Sequence, residues 1–487
     1  MKRSIRKTWQ RTASVLGVIF LFSSGLYQIT RVQASGGSDP YAPEQVVVKL
    51  QSAADLSAVA AQYHLDLTPL GQVGTPPAFL LHINDGQLPP AKVAALNGDA
   101  RVLYAETNDL YGSPEASGTS WSVGTSWSVG TSWSVGGSVK GYSSQWMERT
   151  IRLDEAHDVT VPGTNDKVRG KGMTIAVLDT GIELDHPAFA GRLLPGYDFV
   201  QGDNDPSEVS GGSAYGHGTH VAGIIAKIAP EAKIIPIRVL DSNGVGEGWR
   251  IVEALKFAAN YDADNDPNTP NGVDVVNMSF ATPAPSGVDP VDGPHLMREL
   301  LEAACGNEAS AQFPDVNGAG MLCVAAAGNH LPGDSVAATK RLFPAATRNI
   351  DGLIGVAATD RSDQIASFSN IDLAATNSNG QGPNNWIWVA APGDRIVSAI
   401  PHGRYGAWSG TSMAAPVISG IAALVKQRYK QENPTPTTLA EHIEKTGVVS
   451  IAPTSSPVNA RTDAFLAVTR ALVIEDRVKA GGAPIKK

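Results

Sequence analysis

An α/β fold, built on a largely parallel sheet with helices on both faces and preceded by a small α+β domain, follows from three features of the chain. From residue 146 onward, short apolar runs alternate with segments of helical periodicity, the pattern of buried parallel strands joined by crossover helices. Before residue 112 the spacing differs, with strand-like alternation at 45–50, a helical stretch at 53–64, and strand-like pieces at 78–82 and 101–104. Between them stands a Gly- and Ser-rich repeat with the signature of neither.

Taken in chain order, Lys2, Arg3, Arg6, Lys7 and Arg11 precede an apolar run at 13–27, and Val32-Gln33-Ala34 supplies small residues at a cleavage position. Residues 1–34 therefore read as a signal peptide, removed on export. A retained membrane anchor is the alternative, and the run is short of the roughly 20 residues a spanning helix needs. Export makes the mature chain secreted or periplasmic, with no stable membrane association after signal removal. Residues 43–111 make the small α+β domain. Residues 112–144 hold GTSWSV three times, from Gly118, Gly124 and Gly130, and read as a linker; Trp121, Trp127 and Trp133 forming a docking surface is the alternative. The large domain spans 145–450, with strands at 173–178, 233–239, 273–278, 321–326 and 353–357. Its helices fall at 218–228, 248–260, 295–305, 412–429 and 438–446, leaving 451–487 as a C-terminal extension.

The chain has 487 residues, 42% apolar and 17% charged, with a net charge of -9, which fits a soluble globular protein and excludes nucleic acid as a partner. Cys305 and Cys323 are the two cysteines; in an oxidising compartment they close a disulfide, and otherwise they are two buried thiols.

Chemistry concentrates in four places. Asp179 follows the apolar run Ile175-Ala176-Val177-Leu178, so its carboxylate stands at a strand end, able to orient a histidine and stabilise the imidazolium. Asp185 is nearby but is carried off by the loop after Gly181. His217 opens HGTHVAG at the start of a helix, where its ring can act as general base and acid. His220, three residues on, shares roughly the same face; with no HExxH motif and no third ligand, packing outweighs metal binding. Ser412 lies in Gly410-Thr411-Ser412-Met413-Ala414-Ala415-Pro416, at the start of an apolar helix whose N-terminus favours developing negative charge. A capping serine is the plain alternative. Small Gly410 lets a substrate backbone approach, and Pro416 is expected within the first helical turn. Asn329, after Ala325-Ala326-Ala327-Gly328 at another strand end, offers a side-chain N–H to an oxyanion beside the backbone N–H of Ser412.

In this order and with these surroundings, the motifs closely resemble those of the subtilisin-like serine peptidases, the subtilases, over residues 146–448; other triad families use other chain orders. The resemblance implies a serine endopeptidase that cleaves extended protein or peptide segments through an acyl-enzyme intermediate. It also implies that residues 43–111 resemble a propeptide, an intramolecular inhibitor and folding chaperone, so that the chain is a self-processed zymogen; an attached accessory domain is the other reading. Ser279, Phe280 and Ala281 look like one backbone edge that receives substrate and Gly244 like the second, with Phe280, Ala327 and Gly328 lining an apolar first pocket; local core packing is the other reading of Phe280. Ala281 replaces the glycine common in the family at that point. An esterase would carry out related acyl transfer, but the nucleophile segment lacks a GxSxG elbow. A degenerate, non-catalytic binding protein conflicts with the presence of all four expected side chains.

The chemistry needs no cofactor. Asp262, Asp264 and Asp266 alternate in a loop, as oxygen ligands for a structural calcium or as an ordinary solvated turn. The short path from Ile228 to the next strand leaves little room for the calcium loop that several secreted subtilases carry there.

Overall fold

Strand alternation gives the two faces of the first sheet different tasks. In the computed structural model, which describes residues 39–113, 139–262, 272–283, 293–306, 310–314, 316, 320–329, 341–348, 350–371, 386–448 and 461–472, the leading domain comprises six elements. These are β1 (Tyr41–Leu50), α1 (Leu56–Gln62), β2 (Gly71–Val73), β3 (Ala78–His82), α2 (Pro89–Leu96) and β4 (Val102–Gly112). The signal segment and the GTSWSV repeats lie outside the described residues. The strands form an antiparallel sheet in the order β2-β3-β1-β4. Val46, Val48 and Leu50 turn to one side and pack with Val59, Ala60, Leu81 and Leu96, giving the domain its own core. Val47, Val73, Ala78 and Leu80 turn to the other and join the core of the large domain.

Two local departures from the sequence expectation have simple causes. The helix expected over 53–64 divides into a 3₁₀ turn at Ala53–Asp55, capped by Ser52, and α1. Helix α2 starts on Pro89, tolerated where no intrahelical N–H is needed, and turns Lys92 inward; its ammonium donates to the Tyr63 carbonyl and to Asp85, each at 2.7 Å.

The large domain opens with three short helices, α3 (Val139–Ser143), α4 (Trp146–Thr150) and α5 (Leu153–Asp158). Next come β5 (Thr174–Asp179), β6 (Tyr197–Asp198), α6 (His217–Ile228), β7 (Lys233–Arg238), β8 (Val245–Glu247), α7 (Gly248–Ala259), β9 (Val275–Met278), β10 (Thr282–Pro283), α8 (His295–Cys305) and β11 (Leu322–Ala326). The remainder is β12 (Leu342–Phe343), β13 (Leu353–Thr359), β14 (Val389–Pro392), the hairpin β15 (Ile396–Ile400) and β16 (Arg404–Trp408), then α9 (Thr411–Arg428), α10 (Pro436–Thr446) and α11 (Ala464–Thr469). Seven strands pair in parallel in the order β14-β13-β11-β9-β5-β7-β6. In β5, Ile175 and Val177 face the layer of α6 and α9, whereas Ala176 and Leu178 face α7 and α8. Burial on both faces is why these strands read as unbroken apolar runs.

The core continues past residue 450, where the large domain was expected to end. Arg461 exchanges backbone hydrogen bonds with Val448, Thr462 N–H donates to the Ala390 carbonyl, and Ala464, Ala467 and Val468 of α11 are buried in the main core. Cys305 and Cys323 form a disulfide with Cα atoms 5.9 Å apart, fastening the end of α8 to β11.

Helices α6 and α9 meet where Gly420 faces Ile228; a Cβ on Gly420 would lie 2.7 Å from the isoleucine Cβ. Gly420→Val should therefore push apart the two helices that carry His217 and Ser412. In urea titrations on a Ser412→Ala background, the expected loss is about 1–3 kcal/mol; an unchanged midpoint would show that the contact has slack.

Candidate active site

Three elements end at one place, the carboxyl edge of the parallel sheet, where sites in such folds gather. Asp179 is the last residue of β5 and fully buried. Its Oδ1 accepts from His217 Nδ1 at 2.7 Å and from the Thr180 N–H at 2.8 Å. A ring that donates from Nδ1 keeps Nε2 as its basic nitrogen. His217 begins α6, and Gly218 is a glycine of necessity: a Cβ there would collide with the Gly181 carbonyl oxygen and lie 3.0 Å from the Asp179 Cβ.

His220 serves this helix from the far side of its first turn. Its Nε2 lies 3.1 Å from the carbonyls of both Ile396 and Gly406, and its ring stacks on Trp408 at 4.4 Å. Burial lowers its pKa to about 3, so a neutral ring pins α6 to the β15–β16 hairpin.

Ser412 is the second residue of α9, and its Oγ donates to the Ser279 carbonyl at 3.1 Å. Pro416 lies in the second turn, one turn later than expected, and has no N–H to give the Ser412 carbonyl. Ser279 Oγ makes that bond instead at 3.0 Å, itself receiving Asn277 Nδ2, whose Oδ1 accepts from Ser419 Oγ. The side chain of Ser279 is thus spent inside the protein, supporting the turn that carries Ser412.

Asn329 lies beyond the end of β11, 3% exposed. Its Oδ1 accepts from the N–H and hydroxyl of Thr411 at 3.0 and 3.1 Å, and Nδ2 has no partner among the described residues. Thr411 Oγ1 also accepts the Gly328 N–H. The sequence gives Thr411, Asn277 and Ser419 no role of their own because the contacts that reveal one, Thr411 with Asn329 and Asn277 with Ser419, span 82 and 142 positions; the hint it offers is the place of Thr411 and Asn277 inside the motif segments.

The cleft already holds a peptide. Leu110, Tyr111 and Gly112 pair antiparallel with Glu247, Gly246 and Val245, while Gly112 exchanges two 3.0 Å bonds with Ala281 and Ser113 N–H donates to the Gly244 carbonyl. The chain from the first domain therefore runs as a middle strand between the two edges expected to receive substrate. Phe280, 1% exposed, meets the Tyr111 ring edge to face at 5.9 Å, so it lines the hollow occupied by that tyrosine. Ala327 and Gly328 are tied by their backbones to Val356, Thr411 and Asn370.

Residues 170–468 match the family described as the subtilase family, Peptidase_S8. The chain belongs to the subtilase family. Residues 28–108 of this subtilase match the Fervidolysin N-terminal prodomain, so the leading domain is of a prodomain type. Thermophilic serine proteinase of Bacillus sp. (strain AK1) is 33% identical over 69% of this chain and 66% of its own length. M-protease of Shouchella clausii (strain KSM-K16) is 28% identical over 88% of this chain and 90% of its own. A solved cold adapted subtilisin-like serine proteinase aligns at 26% identity and a TM-score of 0.47, over 66% of this chain and 98% of that one.

Of the aspartates read as calcium ligands or a solvated turn, Asp262 is described, exposed just beyond the end of α7, while Asp264 and Asp266 lie outside the described residues. Among the described residues no group of three or more His, Cys, Asp or Glu is arranged for a metal, and no helix is long and apolar enough to cross a membrane.

The prodomain also grips the subtilase domain with polar groups. Lys49 pairs with Glu299 of α8 at 2.6 Å, and Glu106 accepts the first N–H groups of α8, from His295 and Leu296. The carboxyl of Asp109 is held well above the ordinary range, chiefly by burial; Thr107 Oγ1 donates to it and the Glu106 charge adds to the rise. His295 is raised by its bond to Glu106, with Arg298 and Glu299 also facing it. A free aspartate titrates near 3.9 and a free histidine near 6.5. Both groups bind protons more tightly when docked, so their contribution is complete in acid, with Asp109 losing its share above pH ~4 and His295 its share as pH rises above ~6.5. Hydrogen exchange of β4 in full-length Ser412→Ala should accordingly be faster at pH 9 than at pH 6 beyond the intrinsic pH effect, and Asp109→Asn should flatten that difference.

Proposed function

We propose that this subtilase is a serine endopeptidase made as a self-processed zymogen. The supporting observation is the 2.7 Å bond between buried Asp179 and His217 at the sheet edge that also carries Ser412 and Asn329, whose Nδ2 has no partner among the described residues. His217 Nε2 takes the Ser412 proton, Ser412 Oγ attacks the scissile carbonyl, and the oxyanion is met by Asn329 Nδ2 and the N–H of Ser412. His217 then protonates the leaving amine, and water releases the acyl group by the reverse exchange. Asp179 stabilises the imidazolium in both halves.

Substrate is an extended protein segment, bound as the strand that Leu110–Ser113 now forms. Gly244 and Ala281 contribute backbone pairing, Phe280 an apolar wall, and Ala327 with Gly328 the floor of the first pocket. The same placement supports reading the prodomain as an intramolecular inhibitor, with 112–144 the linker and self-cleavage falling between the leading domain and Trp146. Export by residues 1–34 makes the product secreted or periplasmic. No cofactor enters the chemistry; calcium at Asp262, Asp264 and Asp266 is structural in this reading.

A serine-directed phosphonylating reagent should add once to mature enzyme, at Ser412, and not to Ser412→Ala, as read by intact mass and peptide mapping. Folded, prodomain-free protein that takes no adduct would favour a binding role. Asn329→Ala should keep KM and lower kcat by about 10²–10³, the scale set by removing an oxyanion-hole donor in subtilisin itself.

A further inference from the structure

We infer that Glu208, outside every motif named above, is a positioning residue that clamps both partners of the Asp179–His217 bond by capping the His217 helix from a distance. The inference rests on the triad reading just given.

Helix α6 begins without a cap of its own. Its N-cap is Gly216, with φ of 94°, and a Cβ there would lie 2.6 Å from Pro401, so no capping side chain fits. The first N–H groups of a helix still need acceptors. His217 N–H finds the Ala214 carbonyl, and Glu208 serves the N–H groups of Gly216 and Thr219. Its Oε2 accepts the Gly216 N–H and its Oε1 the Thr219 N–H, both at 3.1 Å.

Two hydroxyls extend its reach. Thr180 Oγ1 lies 3.1 and 3.2 Å from the two carboxylate oxygens and accepts the Gly218 N–H at 3.0 Å. Thr219 Oγ1 donates to Oε1 at 3.1 Å and accepts the Glu183 N–H at 2.9 Å. Thr180 is the residue whose own N–H donates to Asp179. One carboxylate thereby fixes the loop after Asp179 and the turn that carries His217. It touches neither reacting atom, so its effect passes through the relative placement of those two side chains.

Glu208 also lies among charges. Asp179 faces it from β5 and Tyr215 from the loop before α6, with Glu183 and Arg404 beyond the tyrosine. Burial raises its pKa to about 7, against the pull of its donors and with added repulsion from Asp179. Once ionised above that pH, it adds negative charge on the side of the imidazolium.

The test compares mature wild type, Glu208→Ala and Glu208→Gln, matured in trans by tagged wild type that is then removed, with kcat and KM measured on one peptide substrate across pH 5–10. Glu208→Ala should lower kcat roughly 10- to 100-fold, the order of an ångström-scale misplacement, with KM within about two-fold. Glu208→Gln keeps one acceptor oxygen, enough for the Thr219 donors on one side, without charge, so it should recover part of kcat at alkaline pH while the acid limb of kcat/KM moves to lower pH. Wild-type kcat and pH profiles in both variants, with only a lower melting temperature, would overturn the assignment. If Glu208→Ala does not fold, the acid limb of Glu208→Gln decides alone. Inactive wild type would instead sink the peptidase reading.

Discussion

The carboxylate of Asp179 sits where water cannot reach it, and the site is arranged around making that charge tolerable. An isolated buried carboxylate is costly enough that it would neutralise. The donors from His217 and Thr180 offset that cost, and each requires a particular backbone course. Helix α6 must start at residue 217, close enough for Gly218 to lie against the aspartate, and β5 must end where it does. Helix α9 then lies along α6 with Gly420 against Ile228, bringing Ser412 to the same edge. The bond between acid and base is thus also a bond between sheet and helix layer.

The helix that carries Ser412 solves a different problem. Proline in its second turn leaves the Ser412 carbonyl without the usual partner, and the Asn277–Ser279–Ser419 chain supplies one from β9 and from α9 itself. An interior proline is normally a defect costing about 3 kcal/mol or more. Here it frees a carbonyl for a bond from the neighbouring strand. Buried polar chains of this kind are favourable only when every member is satisfied, and they specify one arrangement.

Parallel strands buried on both faces announced themselves as apolar runs, and 233–239, 321–326 and 353–357 were each located to within two residues. The short motifs around Asp179, His217, Asn329 and Ser412 stood out because the chemistry proposed for them demands particular side chains beside glycines that permit close approach. What escaped notice is non-local or breaks the expected period. Helix α2 was hidden by two leading prolines and by Lys92 on its inward face. Strands β14 to β16 are four or five residues each, with Pro392 ending β14 and Pro401 and His402 in the turn between β15 and β16. The C-terminal return at 461–472 had no pattern to announce it, because its registration with Ala390 and Val448 exists only in the fold. Glu208 resembles any loop glutamate until Gly216 is seen to lack room for a cap.

The alternation along β1 has a consequence for the life of the molecule. The side of the sheet bearing Val47, Val73, Ala78 and Leu80 is dry only while the peptidase lies against it. A severed prodomain would present that apolar side to water, with just Val46, Val48, Leu50 and their neighbours holding it together. Such a fragment has little core for its size and spends more time locally open, and local opening is what a protease requires. Under the maturation proposed above, detachment and destruction would be coupled: activation would work as a ratchet, each prodomain that leaves becoming a substrate before it can return.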